Sequence, residues 1–148
     1  MGMFTAFDIS ATGMTAERYR MDIISQNVAN ANTTRTEDGT PYRRKIVVFE
    51  EKNGKTTFNH VLKKERDRYS GDGVKVTGVY EDNKTEMKMV YDPSHPDADE
   101  NGYVTYPNVD TVTEMTNLID ASRAYQANAT AFEASKNIAT TGLNMMNA

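Results

Sequence analysis

Apolar residues recur at helical spacing at both ends of the chain and at strand spacing between them. Towards the C-terminus, Met115, Leu118, Ser122, Tyr125, Ala129, Phe132, Lys136, Ala139, Leu143 and Met146 follow alternating steps of three and four residues. Towards the N-terminus, Phe7, Met14, Met21 and Val28 recur every seven residues, with Ala11, Ile24 and Ala31 on the same face. A seven-residue repeat keeps one seam turned toward a partner helix. With such a seam at each end, the partner of each is the other end or a neighbouring copy. The pattern predicts one helix from about Thr5 to Asn30 and a second from Val109 to Met146, the latter roughly 55 Å long. A helix of that length exceeds what a single domain of this size buries on itself. Gly13 weakens the first helix by about 1 kcal/mol relative to Ala. The run Asn27 to Thr33 favours fraying, because Asn and Thr compete for backbone hydrogen bonds. Lys136 is out of keeping with its seam, and a lone Lys there fixes register or partner at a cost in stability.

Past the turn Asp38-Gly39-Thr40-Pro41 the period changes to alternation. Arg44 to Glu50 reads as a strand with the continuous apolar run Ile46-Val47-Val48-Phe49. Asn53-Gly54 signals a hairpin, with a return strand from Thr56 to Leu62. Val74, Val76 and Val79, then Met87, Met89 and Tyr91, predict further strands. Asp92-Pro93-Ser94-His95-Pro96 is a loop, since two prolines this close suit neither helix nor central strand.

Charge sharpens the boundaries. Of 17 basic residues thirteen lie between residues 32 and 108, and of 21 acidic residues fourteen do. The ends are rich in Ala, Asn, Thr and Met instead, so their outer faces are also expected to pack, because solvated helices carry charged outer faces. The 148-residue chain has the length of one domain or of a small domain with extensions, with no Trp and no Cys. The missing Cys excludes disulfides, thiol catalysis and thiolate zinc sites. A net charge of −4 gives no reason to expect nucleic acid. No apolar run reaches a membrane span, and the N-terminus lacks the features of a cleaved leader. If the protein leaves the cytoplasm, the expected route is one that cleaves no N-terminal leader.

Candidate chemistry is sparse. Asp97-Ala98-Asp99-Glu100-Asn101-Gly102 opens like a calcium loop, and Val104 fits its apolar position. The twelfth position is Asn108, however, which cannot supply a bidentate carboxylate. An acidic turn with Gly102 at positive φ is the favoured reading. The alternative function is a calcium-responsive binding module built on Asp97, Asp99 and Asn101. His60 has no nucleophile or carboxylate beside it at a catalytic spacing, and His95 lies in the Pro-bounded loop near acidic residues; for both, a surface polar role is favoured over that of a general base or ligand. A periplasmic hydrolase would need a carboxylate pair in a pocket, and none is evident. The cluster Arg43-Arg44-Lys45 reads as a solvated strand start or an inter-subunit ion pair. The nine methionines suit surfaces that adapt to non-identical neighbours.

The segments Phe4 to Met14 and Ser25 to Thr33 resemble the signature of bacterial flagellar rod and hook proteins. Thr34 to Lys45, Tyr91 to Ala98, Gly102 to Val109, Glu114-Met115 and Ala121 to Asn128 narrow the resemblance to the proximal rod. The resemblance implies an axial, tubular assembly at the flagellar basal body, in the periplasm. The subunit would be exported unfolded through the flagellar type III export apparatus, its terminal helices ordering on assembly. Implied partners are the rod proteins FlgB, FlgF and FlgG, together with FliE and a rod-assembly cap protein.

The expected fold is α+β. Long N- and C-terminal helices (residues 1–34 and 109–148) pair as a discontinuous coiled-coil domain, and a small mainly-β domain (35–108) is inserted between them. The expected function is structural, as a drive-shaft subunit that transmits torque and encloses the export channel, with no active site, cofactor or metal. The expected assembly interface is Phe7, Met14, Met21, Ile24 and Val28 with Leu118, Tyr125, Phe132 and Leu143.

Overall fold

The computed structural model describes residues 3–52 and 72–146. The expected Asn53-Gly54 hairpin, the return strand Thr56 to Leu62 and His60 lie outside these residues. Helix α1 (Met3–Ala29) is followed by strands β1 (Lys45–Glu51), β2 (Val74–Glu81), β3 (Lys88–Tyr91) and β4 (Tyr103–Tyr106), and by helix α2 (Thr111–Met146). The class is α+β: two long helices with a small β region between them. Among the described residues β1 pairs with β2 and β3 with β4.

The Asp82 amide donates to the Arg44 carbonyl and the Lys52 amide to the Gly73 carbonyl, both at 2.8 Å, so β1 and β2 are antiparallel. Those bonds enclose one residue more on the β2 side than on the β1 side. Exposure alternates along β2 until Gly78 and Val79, both half-buried, which marks a bulge at the glycine. In β1 the expected apolar run is not buried on both faces. Val47 and Phe49 turn inward, whereas Ile46 and Val48 are exposed.

The chain divides into two compact units. The first comprises Met1–Tyr19, Phe49–Thr77 and Ala121–Ala148. In it the helices run antiparallel, with Phe7 edge-on to Phe132 at 4.9 Å between ring centroids and Gly13 against Asn128. A Cβ on Gly13 would lie 2.8 Å from the Asn128 Oδ1. The glycine that costs helix propensity therefore permits close approach of the helices. Gly13→Leu is expected to cost about 1–3 kcal/mol through overpacking, read as a lower urea midpoint. On another side of α1, the Thr12 Oγ1 accepts the Val74 amide at 3.2 Å. Contact on two sides explains why so many α1 residues are half-buried and the apolar period is shallow. Lys75 and Glu50 form an ion pair at 3.3 Å, both half exposed, contributing at most about 1 kcal/mol.

The second unit comprises Arg20–Val48 and Gly78–Asp120. Its buried apolar residues are Ile24, Ala31, Tyr42, Val104 and Val109. Strands β3 and β4 are antiparallel, with Val90 opposite Val104 and Tyr91 opposite Tyr103. Val104, placed above in a loop, is a fully buried β4 residue. The hairpin's outer face carries Met89, Tyr91 and Tyr103, the two tyrosine rings 5.3 Å apart.

The acidic turn between these strands has Gly102 at φ 82°, as the favoured reading requires. The Asp99 Oδ1 accepts the amides of Asn101 at 2.9 Å and Tyr103 at 2.8 Å. The Asp97 Oδ2 accepts the Thr34 hydroxyl at 2.7 Å, and Arg35 lies 3.8 Å from its Oδ1. These carboxylates serve the chain's own donors instead of converging on one point.

Candidate functional site

Two of the most deeply buried large side chains among the described residues, Glu114 and Asn27, are polar, and they meet where α1 ends and α2 begins. Asp110 caps α2: its carboxylate accepts the Val112 amide and the Thr113 hydroxyl, each at 3.1 Å. These bonds hold its carboxyl below the usual range. One turn further on, Glu114 is 1% exposed. Its Oε1 accepts the Arg44 Nε–H at 2.8 Å, and the Arg44 Nη2 lies 2.7 Å from the same oxygen. Its Oε2 accepts the Asn27 Nδ2–H at 3.0 Å.

Asn27, also 1% exposed, fills every hydrogen-bonding position of its amide. Besides Glu114, its Nδ2 donates to the Lys45 carbonyl at 2.9 Å. Its Oδ1 accepts the Lys45 amide and the Tyr42 hydroxyl, both at 2.9 Å. Burial, then the negative charges of Glu114 and Glu81, push the Tyr42 phenol up, so it stays a donor. Asn108 bridges the next layer: its Oδ1 accepts the Arg44 amide at 2.9 Å, and its Nδ2 donates to the Asp82 carbonyl at 2.8 Å. A buried carboxylate is tolerated only when its charge and lone pairs are answered, and here Asn27 of α1 and Arg44, just ahead of β1, supply the answer. We call this cluster the clasp.

Asp82 closes the clasp. Its carboxyl is held below the usual range by the Thr85 hydroxyl at 2.7 Å, then by the Thr85 and Lys84 amides, with Arg44 adding a smaller effect. A depressed folded-state value contributes stability that is complete above the ordinary carboxylate range of about 4. That stability is lost as pH falls through the folded-state value. Melting temperatures measured from pH 6 to pH 3 should therefore drop, and the drop should be smaller in Asp82→Asn.

Several expectations change here. Asn27 does not fray the helix but anchors it. Arg44 is not a solvated strand residue, since its partner Glu114 lies in the same chain. Asn108, which disqualified the calcium loop, has a structural role. Among the described residues no cluster of His, Cys, Asp and Glu is placed to hold a metal ion, and the His95 Nδ1 accepts the Asp97 amide at 3.1 Å.

Of the interface residues expected from the sequence, Ile24 is buried. Phe7, Met14, Met21, Val28, Leu118, Tyr125 and Phe132 are half-buried, and Leu143 is 57% exposed. Phe7 and Phe132 are brought together. On α2 the covered face includes Glu114, Leu118, Ala121, Ser122, Tyr125, Asn128, Ala129, Phe132, Ser135 and Ala139. It shares Leu118, Ser122, Tyr125, Ala129, Phe132 and Ala139 with the expected stripe. It also takes in a row one residue earlier, Ala121, Asn128 and Ser135, whose polar and small side chains fit the close approach at Gly13. Met115 and Lys136 consequently lie outside the seam and are exposed. Val112, Met115 and Ile119 form an exposed apolar row on the inner part of α2, and Ile138, Leu143 and Met145 are exposed towards its end.

Residues 7–35 match the family described as flagella basal body rod protein, and residues 100–145 match that described as flagellar basal body rod FlgEFG protein C-terminal. The flagellar basal-body rod protein FlgC of Borreliella burgdorferi is 43% identical over 143 residues, 93% of each chain. FlgC of Bacillus subtilis is 41% identical over 142 residues, 92% of this chain and 93% of the relative. FlgC of Salmonella typhimurium is 41% identical over 128 residues, 86% of each. The two family matches take in Asn27 on one side of the clasp and Asn108 and Glu114 on the other.

Proposed function

The chain belongs to the FlgC family of flagellar basal-body rod proteins, and from that premise we propose how it serves the rod. It is a structural subunit of the basal body. In our reading residues 1–34 and 109–148 supply an axial core, and 35–108 form an inserted domain around the clasp. Subunits meet FlgB, FlgF, FlgG and FliE head to tail in the periplasm, a contact that propagates as a helical tube instead of closing as a ring. The tube encloses the export channel and carries torque, and its subunits arrive through the type III apparatus. The role requires no reaction.

One observation carries this reading: α2, already packed along one face, exposes Val112, Met115, Ile119, Ile138, Leu143 and Met145. Exposed apolar area on that scale marks an interaction surface. Phe7, Met14, Met21, Ile24, Val28, Leu118, Tyr125 and Phe132 hold the seam, and Leu143 faces a neighbouring subunit.

Leu143→Asp tests the assignment, because an exposed position in the free chain affects assembly without affecting folding. The variant should melt at the wild-type temperature, yet fail to restore swimming to cells lacking this chain and be missing from isolated basal bodies. Wild-type swimming, with the variant recovered in basal bodies at the normal level, would remove Leu143 and its exposed row from the contact surface.

A further inference from the structure

The hairpin of β3 and β4 has one guarded flank and one open flank. The Asp92 amide donates to the Gly102 carbonyl at 2.9 Å, and the register continues through Val90 opposite Val104 to Lys88 opposite Tyr106. Hydrogen-bonded and non-hydrogen-bonded pairs alternate along an antiparallel ladder. Asp92, Val90 and Lys88 therefore turn their backbone groups to β4, and Met89 and Tyr91 turn theirs away. On β4 the outward groups of Tyr103 are answered within the acidic turn: its amide donates to the Asp99 Oδ1, and its carbonyl accepts the Asp99 amide. Beside Met89 and Tyr91 no strand lies among the described residues. All of β3 is exposed, Met89 at 63% and Tyr91 at 65%. A two-stranded hairpin is marginal in water, and a bare flank of this kind accepts a further strand.

We propose that this flank binds the same flank of a second copy of the chain, β3 against β3, antiparallel and centred on Val90. The segment Lys88-Met89-Val90-Tyr91-Asp92 is complementary to itself in that register. Met89 exchanges backbone hydrogen bonds with Tyr91 of the second copy, and each thioether lies against a ring. On the other face Val90 meets Val90. Lys88 faces Asp92 of the second copy, once on each side, across a non-hydrogen-bonded pair where side chains come closest. The adjacent registers are worse. Centring on Met89 sets Glu86 against Asp92, and centring on Tyr91 sets Met89 against Pro93, which has no amide to donate. The contact is two-fold and closes at two chains, unlike the head-to-tail contacts proposed above. It rests on the hairpin and not on the rod assignment.

Sedimentation equilibrium on the full-length protein tests it. A contact this small should associate at about 10–1,000 µM, the mass rising from one chain to two and no further. Lys88→Glu alone and Asp92→Lys alone set like charges opposite each other, and each should weaken pairing at least about tenfold. Mixed in equal amounts, the two variants present opposite charges again and should pair as the wild type does. A wild-type mass that stays at one chain up to about 1 mM, or that climbs past two, would overturn the proposal. So would single variants that pair like the wild type, or a mixture that does not pair. Where either variant fails to fold, single cysteines decide, since the chain has none of its own. Under diamide, Val90→Cys should cross-link to its own kind at least about tenfold faster than Met89→Cys, whose counterpart lies diagonally away. Equal rates reject the pairing.

Discussion

Glu114→Ala should destabilise the folded chain by about 3 kcal/mol, the low end of the range for breaking a buried ion pair by removing one partner. The low end applies because the Arg44 side chain keeps 26% exposure and water can reach it. The loss comes less from the missing attraction than from what is left behind, a guanidinium with only the more distant Asp82 carboxylate at 3.8 Å and an Asn27 donor without its acceptor. For a domain whose whole stability is of order 5–15 kcal/mol, this is a large fraction. Glu114→Gln keeps the shape and an acceptor and should cost less. The double change Arg44→Met with Glu114→Leu removes both charges together and should recover most of the loss. Urea denaturation of the four proteins gives these differences directly. A single Glu114→Ala loss below about 1 kcal/mol, within the range of an exposed pair, would mean that the clasp is ornamental.

Phe132→Asp should abolish motility. The ring meets Phe7 edge-on at 4.9 Å, a geometry worth about 0.5–1.5 kcal/mol beyond the apolar area covered. Aspartate would also place a charge without a partner in the seam, at a cost of several kcal/mol once neighbouring subunits exclude water. Leu118→Asp should act in the same way, whereas Phe132→Leu retains apolar bulk and should swim. Soft-agar spreading and recovery of rods from the variant strains distinguish these cases. Full motility with Asp at 132 would show that the seam bears no load.

The helices were legible because their period is long and unbroken: Thr5 to Asn30 was expected and Met3–Ala29 is found, Val109 to Met146 was expected and Thr111–Met146 is found. The width of the covered face was only partly legible. Periodicity follows the large apolar residues, but Gly13 lets the helices approach closely, and the covered face takes in Ala121, Asn128 and Ser135 while Met115 and Leu143 are left exposed. Strand β4 escaped notice because Val104 fits the apolar position of an ion-binding loop as well as it fits a strand.

The clasp was the hardest to foresee. Asn27 and Glu114 are 87 residues apart, and in sequence a buried asparagine looks the same as a solvated one. Nothing local distinguishes an Asn that frays a helix from one that anchors it; only the partners brought by the fold decide. Two faint signals existed, the low charge of both ends and the placement of Asn27 and Glu114 within the segments that carried the resemblance to rod proteins.

The Asn27 amide engages Lys45 as a neighbouring strand would, taking its N–H and giving to its carbonyl. Arg44, one residue earlier, turns its carbonyl to Asp82 on the β2 side, so the Lys45 groups point to the opposite edge. Unpaired groups along a strand edge are a template on which another chain can add. At Lys45 a side chain already occupies that place, so the first residue of β1 cannot recruit a stray strand from another copy. For a rod subunit, that closes one amyloid-like route of association at the first residue of β1.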